Sequence, residues 1–308
     1  DSELSTIITG AEMPFSENAV FSSNNRFFVA ANTAIYEIIK TGDTYDYEII
    51  TDSGDASWLF TGLTAKGDVL YAVCSSTMVI NGQPTFITYQ LYRIDVSSSE
   101  ADVASTEFMS HGLFLANGMG VDSEGNVYIS NTMTNVGATL TPAIIEPAIV
   151  KLEVDYDGTT LTATESTWLA TETTGGFPNG IQISSDDVMY LASGTGILEI
   201  PILTDGSAGE PSLIYDTNIN NVFDDFALTS DSIIVSEVGN PLDTNDEFFS
   251  QLVVIDLEGN LIETIEFTEE LNLMASHVVV SQGSLFEEDT LIMTDYYGGG
   301  VHILTNYK

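Results

Sequence analysis

The sequence predicts an all-β protein, a six-bladed β-propeller with a central metal site, and three observations support that prediction. Most apolar runs are short, alternate with polar residues and are rich in Val, Ile, Tyr and Thr. One sequence motif recurs six times, so each of the six repeats has on average about 51 of the 308 residues. Four copies begin with an oxygen-bearing side chain in the same register. Four-stranded units of this length, repeated four to eight times, are typical of a propeller.

The recurring motif consists of a polar residue, an apolar residue four positions on, a tight turn and a β-run. The copies that begin at Asn117 and Asn179 align without a gap, and the one that begins at Asp224 is one residue shorter at the turn. The second and last copies are weaker than the others. The six copies occupy residues 17–28, 63–71, 117–129, 179–191, 224–234 and 276–293.

Each copy predicts two strands joined by a turn, then a third strand and sometimes a fourth. The third strands are expected at residues 34–38, 90–94, 149–152, 196–200, 252–255 and 301–304. The last copy ends soon after its third strand, so we expect a strand at residues 4–9 to close the ring and to protect the sheet edge. The expected blades span residues 11–55, 56–105, 110–168, 174–216, 220–268 and 272–308 of a single domain.

The main alternative is a pair of β-sandwiches with a boundary near residue 165. No long linker or low-complexity stretch divides the chain, which favours one domain. The two longest irregular segments, residues 132–147 and 238–249, are predicted to be insertion loops. Such loops commonly cover one face of a scaffold and shape its pocket.

The charge of the chain restricts its partners. It has 46 acidic and 6 basic residues, a net charge of −40. Nucleic acid and anionic membrane surfaces are excluded as partners, because binding them requires Lys and Arg. No apolar run is long enough to predict a membrane span. Self-repulsion of this size is relieved by salt, which favours a marine or halophilic source.

The single cysteine, Cys74, excludes an intrachain disulfide and a cysteine-based zinc site. It lies in an apolar run and is predicted to be a small core residue. Residues 1–3 lack the basic and apolar stretches of a signal peptide. We expect a secreted or periplasmic protein whose signal peptide has been removed, and a monomer.

The candidate metal ligands are Glu17, Asn117, Asn179 and Asp224, which open four copies in one register. In a propeller the innermost strands line the central channel, so equivalent positions lie at the same height around it. Two carboxylates and two amide oxygens suit Ca²⁺, which takes six to eight oxygen ligands, and suit zinc or copper poorly. The alternative for each residue alone is ordinary turn chemistry, since Asn and Asp often open turns.

The segments around these positions resemble the gluconolactonase and senescence-marker-protein family and, in part, the paraoxonases. They are Ser-Glu-Asn at 16–18, Asn-Gly with Asp-Ser-Glu-Gly-Asn at 117–126, Phe-Pro-Asn-Gly with Met-Tyr at 177–190, and Asp-Asp-Phe at 224–226. Asp224-Asp225 departs from the Asp-Gly of gluconolactonases. The wider superfamily also includes diisopropylfluorophosphatase, luciferin-regenerating enzymes and strictosidine synthases.

The resemblance implies a Ca²⁺-dependent hydrolase in which the metal acts as a Lewis acid and Asp224 is both ligand and base or nucleophile, assisted by Asp225 or His277. No basic residue occupies the ligand position of a channel motif, which favours a small neutral substrate, a lactone or an aryl ester, over an anionic sugar acid. Two alternatives stay open. One is phosphotriester hydrolysis, and the other is a non-catalytic propeller that binds a ligand or a protein.

Three histidines are candidates for a general base. His277 follows the ligand register of the last copy and is expected to face the channel, whereas a hydrogen-bonded strand end is its alternative. His111 is expected in the loop that enters the third blade, and His302 in a strand. The Gly298–Gly300 run precedes no helix, so it predicts a hairpin turn instead of a phosphate loop. No Gly-x-Ser-x-Gly elbow is present.

Overall fold

The computed structural model of the chain describes residues 2–80, 83–108, 115–132, 147–170, 174, 177–194, 196–217, 221–239, 250–267 and 273–307. These residues form 24 β-strands in six four-stranded sheets. The part of the chain so described contains no helix, and therefore none that could cross a membrane. The predicted all-β, six-bladed propeller is confirmed.

The six sheets, called blades 1 to 6, follow one another along the chain. Blade 1 contains β2 (Ser16–Phe21), β3 (Phe27–Ala31), β4 (Ala34–Thr41) and β5 (Thr44–Asp52), and blade 2 contains β6 (Trp58–Lys66), β7 (Val69–Ile80), β8 (Gln83–Asp95) and β9 (Asp102–Phe108). Blade 3 contains β10 (Ala116–Val121), β11 (Val127–Asn131), β12 (Pro147–Tyr156) and β13 (Leu161–Ala170), and blade 4 contains β14 (Pro178–Ile183), β15 (Val188–Ser193), β16 (Gly196–Pro201) and β17 (Ser212–Asp216). Blade 5 contains β18 (Asn221–Leu228), β19 (Ser232–Gly239), β20 (Ser250–Asp256) and β21 (Leu261–Glu266), and blade 6 contains β22 (His277–Val280), β23 (Leu291–Thr294), β24 (Val301–Thr305) and β1 (Glu3–Ile8).

Blade 6 joins the two ends of the chain. Strand β1 pairs antiparallel with β24, from Glu3 opposite Thr305 to Ile8 opposite Val301. His302 lies in β24, as predicted, and its Nδ1 is 2.9 Å from the hydroxyl of Thr6. An N-terminal strand that completes the last sheet ties the last blade to the first segment of the chain and covers an edge that would otherwise be open.

The apolar core is divided among six clusters, each shared by two neighbouring blades. In β3, Phe27 and Val29 face blade 6, whereas Phe28 and Ala30 face blade 2. Because side chains alternate between the faces of a strand, a strand buried on both faces appears in the sequence as a continuous apolar run. Cys74 lies in the cluster between blades 1 and 2, where burial raises the pKa of its thiol to about 12, as expected of an unreactive core residue.

Polar contacts also tie neighbouring blades together at the turns after the inner strands. The Ser23 hydroxyl donates to Asp68 in blade 2 at 2.6 Å, and the Ser123 hydroxyl donates to Asp187 in blade 4 at 2.5 Å. Arg26 of blade 1 binds Glu37 of the same blade and also donates to two backbone carbonyls in the loop between β8 and β9 of blade 2. These contacts tie blade 1 to blade 2 and blade 3 to blade 4, and such charge-assisted hydrogen bonds fix geometry more specifically than apolar burial does.

The pair of β-sandwiches is excluded. Strand β13 runs through residue 165 and pairs with β12 as the outer strand of blade 3, so no boundary lies there. All six predicted third strands lie within the third strands of their sheets. The central residues of the two predicted insertion loops, 133–146 and 240–249, lie outside the described residues, as does His111.

The inner strands β2, β6, β10, β14 and β18 share a break in pairing register of the kind that a β-bulge makes. It falls at the ligand register, so the two Asn-Gly pairs lie within strands and not in turns. The glycines that follow have a packing role. A Cβ on Gly62 would lie 2.3 Å from the Asn117 carbonyl oxygen, and one on Gly118 would lie 2.1 Å from that of Asn179. A Cβ on Gly180 would lie 2.6 Å from the Cα of Asp225.

A matched pair of substitutions in β10 tests this packing. Gly118→Ala should lower the free energy of unfolding by about 3 kcal/mol, because the added carbon meets backbone that cannot move aside. Gly120→Ala should cost less, about 1–2 kcal/mol, because its nearest neighbours are side-chain atoms of Ile181 and Ile183, which can shift more readily than backbone can. Denaturant unfolding measures both, and equal losses would contradict the account.

Candidate metal centre

The candidate site is a cavity of about 400 Å³ at the start of the inner strands. All four predicted ligands line it, each from a different blade. Strand β2 contributes Glu17, β10 contributes Asn117, β14 contributes Asn179 and β18 contributes Asp224. The complete lining is Glu17, Leu59, Thr61, Leu115, Asn117, Thr132, Asn179, Asp224, Tyr296 and Tyr297.

The carboxylates and amides of this set are paired with one another. The Asn179 amide nitrogen donates to Asp224 Oδ1 at 2.7 Å, and the side chain of Asn117 lies close enough to Glu17 to lower the pKa of its carboxyl. The backbone carbonyl of Glu17 accepts a hydrogen bond of 2.6 Å from the Thr294 hydroxyl of blade 6, which fixes β2 at this height. The four side chains are therefore held on rigid strands and not on loops.

Three buried oxygen atoms of the cavity wall have no hydrogen-bond partner in the described structure. They are Thr61 Oγ1, Thr132 Oγ1 and Asn179 Oδ1. A buried polar atom without a partner costs free energy, and such atoms usually face a group that satisfies them. Hydroxyl, amide and carboxylate oxygens on one wall suit a hard cation such as Ca²⁺.

Thr61 is a site residue that sequence reasoning missed. It occupies the register break of β6, the position that the candidate ligands occupy in the other inner strands, and its side chain is only 6% exposed. The sequence contains a signal for this position, since Thr61-Gly62, like Asn117-Gly118, is a polar residue followed by glycine at the start of an inner strand. Blade 2 has neither an amide nor a carboxylate at this position, so the predicted repeat of this blade begins only at Leu63.

The electrostatics of the cavity favour a cation. Burial, together with the negative charges of Asp224 and Asp225, raises the pKa of Glu17 well above its ordinary value. Burial and the charge of Asp225 also raise the pKa of Asp224 to about 8. None of the described lining residues is basic. A bound cation would lower both pKa values by favouring the ionised carboxylates.

No group of three or more His, Cys, Asp or Glu side chains with the arrangement of a metal site occurs within the described ranges. The candidate centre therefore depends on its two amides, with hydroxyl oxygens beside them, as much as on its two carboxylates. Such a donor set is unlike that of a zinc or copper site.

A second polar layer follows the ligands along the inner strands. Asn18, Asp225 and His277 occupy the positions that follow the ligand register in blades 1, 5 and 6. The Asn18 amide nitrogen donates to Asp225 Oδ2 at 3.0 Å, while its oxygen accepts from the Leu63 N–H at 3.1 Å. His277 Nδ1 accepts from the Ala19 N–H at 3.1 Å. This layer connects blades 1, 2, 5 and 6 across the axis.

The structure does not bring His277 to the four candidate ligands. It lines a different, smaller cavity of about 180 Å³ farther along the inner strands. Its Nδ1 is occupied by the Ala19 N–H, and burial lowers its pKa to about 4, so the ring is neutral. The 3.8 Å separation from Asp225 is therefore not an ion pair. This hydrogen bonding matches the alternative of a structural histidine.

Asp225 is also committed to the second layer. Its Oδ1 accepts from the Phe226 N–H at 2.8 Å, and its Oδ2 accepts from the Asn18 amide nitrogen. Burial raises its pKa to about 7. It does not line the larger cavity, so its effect on Asp224 is electrostatic and not a direct contact with a ligand in that cavity.

Two aromatic residues that the sequence did not single out complete the wall. Tyr296 and Tyr297 follow β23 and line the cavity. Burial raises both phenol pKa values, the charge of Glu17 raises both further, and the charge of Asp224 raises that of Tyr297, so the hydroxyls are within electrostatic reach of the carboxylates. Both phenols are therefore protonated at neutral pH.

Comparison of the sequence with family models and with curated proteins finds no match. Solved structures are similar in fold. A luciferin-regenerating enzyme aligns over 100% of this chain and 96% of its own at 11% identity, with a TM-score of 0.60. A gluconolactonase from Xanthomonas campestris aligns over 99% of this chain and 90% of its own at 13% identity, with a TM-score of 0.57.

A virginiamycin B lyase from Staphylococcus aureus aligns over 99% of both chains at 10% identity, with a TM-score of 0.53. At these identities the likeness concerns the fold. The chain is thus similar in fold to a gluconolactonase and to a luciferin-regenerating enzyme, in agreement with the resemblance of its motif segments.

Proposed function

We propose that the chain is a Ca²⁺-dependent hydrolase of neutral lactones or aryl esters. The observation that carries the proposal is the convergence of two carboxylates, two amides and two unpaired hydroxyls on the wall of one cavity. Glu17, Asn117, Asn179 and Asp224 would hold the ion. When bound, Ca²⁺ supplies a Lewis acid that polarises a carbonyl oxygen.

Residues around the ion would supply a general base and an apolar surface. Asp224 is partly exposed to the cavity, and Asn179 binds only one of its two carboxylate oxygens, so the other is available to take a proton from an attacking water. Leu59 and Leu115 give the cavity apolar surface that excludes bulk water.

Charge supports a neutral substrate. The cavity wall contributes two carboxylates and, among described residues, no basic side chain that would bind an anion. The net charge of −40 repels anionic ligands and favours departure of a carboxylate product. Similarity in fold to a gluconolactonase supports a lactone, but a lyase shares the fold, so the substrate is argued from the site.

Removal of calcium should destabilise the protein. Ligand at about 100 times its Kd stabilises the folded state by about 2.7 kcal/mol. A chelator should therefore lower the Tm of the wild type by several degrees, whereas Asp224→Asn should show no such response. Asp157→Asn removes the same charge from an exposed turn and should keep the full response. A full response in Asp224→Asn would place the ion elsewhere.

The metal-free protein should lose stability as the pH rises from about 5 to about 8. The pKa values of about 8 for Asp224 and about 7 for Asp225 exceed the ordinary 3.8, so the folded state binds more protons than the unfolded state in this window. Each such proton contributes up to about 1.4 kcal/mol per pH unit. Denaturant unfolding in chelator should give a shallower slope for Asp224→Asn and an unchanged slope for Asp157→Asn. Equal slopes in all three proteins would contradict the assignment.

Activity should depend on calcium and on the neutrality of the substrate. We expect higher kcat/KM for a neutral aliphatic lactone and for phenyl acetate than for a sugar lactone or a fluorophosphate, and a loss of at least about 100-fold in Asp224→Asn. A preference for the fluorophosphate would favour a phosphotriesterase. Absence of calcium-dependent turnover on all four would favour a non-catalytic binding propeller.

A further inference from the structure

An aromatic surface lies at the edge of the candidate site. It consists of Phe15, Tyr296 and Tyr297, called here the aromatic wall. The rings of Phe15 and Tyr296 are 5.4 Å apart at 48°, and those of Tyr296 and Tyr297 are 5.5 Å apart at 88°. Tyr297 is 67% exposed and Phe15 is 45% exposed. Large rings this exposed, in contact with one another and beside a cavity, indicate a binding surface.

The turn that carries the two tyrosines is firmly held. Asp295 Oδ1 accepts from the Gly298 N–H at 2.7 Å, and its Oδ2 accepts from the Met274 N–H at 3.2 Å. The Tyr296 N–H donates to the Ser276 hydroxyl at 2.9 Å. These contacts fix the backbone of the turn against blade 6, as a site requires of its supporting residues.

The Gly298–Gly300 run explains how the turn fits there. Gly299 and Gly300 have φ values of 73° and 90°, which side chains rarely adopt. The run packs against Gly10, where an added Cβ would lie 1.9 Å from the Gly298 carbonyl oxygen. The glycine motif, which carries no chemistry of its own, brings the tyrosine turn against the N-terminal segment that contains Phe15.

Phe15 is held at a conformational cost. Its φ of 53° is in the left-handed region, which is unfavourable for a bulky residue. Phe177 precedes Asn179 by two residues, as Phe15 precedes Glu17, and is equally exposed at 45%. Phe177 has no positive φ. Strained residues that persist often serve a site, and of this pair the strained Phe15 is the one whose ring contacts Tyr296.

We propose that Tyr297, supported by Tyr296 and Phe15, is a specificity-determining residue that binds a flat, unsaturated ring of a neutral ligand. The proposal rests on the proposed function and narrows it, since the ring would be the part of the ester that flanks the reacting carbonyl. Edge and tilted ring contacts favour an aromatic ring over a saturated ring of equal size by a few-fold to about tenfold. Nearby Glu17 and Asp224 disfavour a ring that carries negative charge.

Two neutral amides, used as test ligands, distinguish the effect of a flat ring on binding from the effect of ring size. Acetanilide carries a phenyl ring, and N-cyclohexylacetamide carries a saturated six-membered ring on the same acetamide. Titration calorimetry with saturating Ca²⁺ should show that the wild type binds acetanilide about five to ten times more tightly. Tyr297→Ala should reduce that preference to less than about twofold, whereas Phe177→Ala should retain it. Because Tyr297 is exposed, its variant should fold and keep the calcium-dependent Tm.

The outcomes separate this proposal from the proposed function. A wild type without preference, or a preference that survives Tyr297→Ala, overturns the ring subsite whether or not esters are hydrolysed. Loss of the preference in Phe177→Ala also overturns it, because the effect would then not belong to the aromatic wall. A ring preference that depends on Tyr297, in a protein that hydrolyses no ester, supports the subsite and refutes the hydrolase.

Discussion

The close approach of the inner strands around the axis is the constraint on which the candidate site depends. In blades 2, 3 and 4 the residue after the ligand position is glycine, because backbone of the next strand occupies the place of a side chain. In blades 1, 5 and 6 that residue is Asn18, Asp225 or His277, and these side chains fill the axis. Close backbone packing in blades 2, 3 and 4 and side-chain hydrogen bonds in blades 1, 5 and 6 thus fix the position of the candidate ligands along the inner strands.

This packing has an electrostatic consequence. It buries Glu17 and Asp224 beside Asp225 in a chain with only six basic residues, and the described lining contains no basic side chain to compensate them. The basic residue Arg26 instead forms hydrogen bonds away from the cavity, to Glu37 of blade 1 and to a backbone carbonyl of blade 2. Buried carboxylates without a counter-charge either bind protons, which their raised pKa values reflect, or bind a cation.

The structure separates the parts that would hold an ion from the parts that would choose a ligand. The oxygen donors lie on inner strands fixed by neighbouring blades, whereas the aromatic wall comes from a turn of blade 6 and the residue before β2. Changes in such turns leave the strands in place. Solved structures of similar fold include a gluconolactonase, a luciferin-regenerating enzyme and a virginiamycin B lyase, so the fold alone does not select a reaction.

The sequence by itself determined the six blades and the shared register of Glu17, Asn117, Asn179 and Asp224, because repeats and strand periodicity are local properties. It did not determine which neighbours each side chain meets. The neutrality of His277 follows from burial and from a hydrogen bond to Ala19, far away in the sequence. Thr61 joins the cavity through a register break, and Phe15 meets Tyr296 only because the ring closes. Tertiary structure decided these features, since contacts between distant segments leave no periodic signal in the chain.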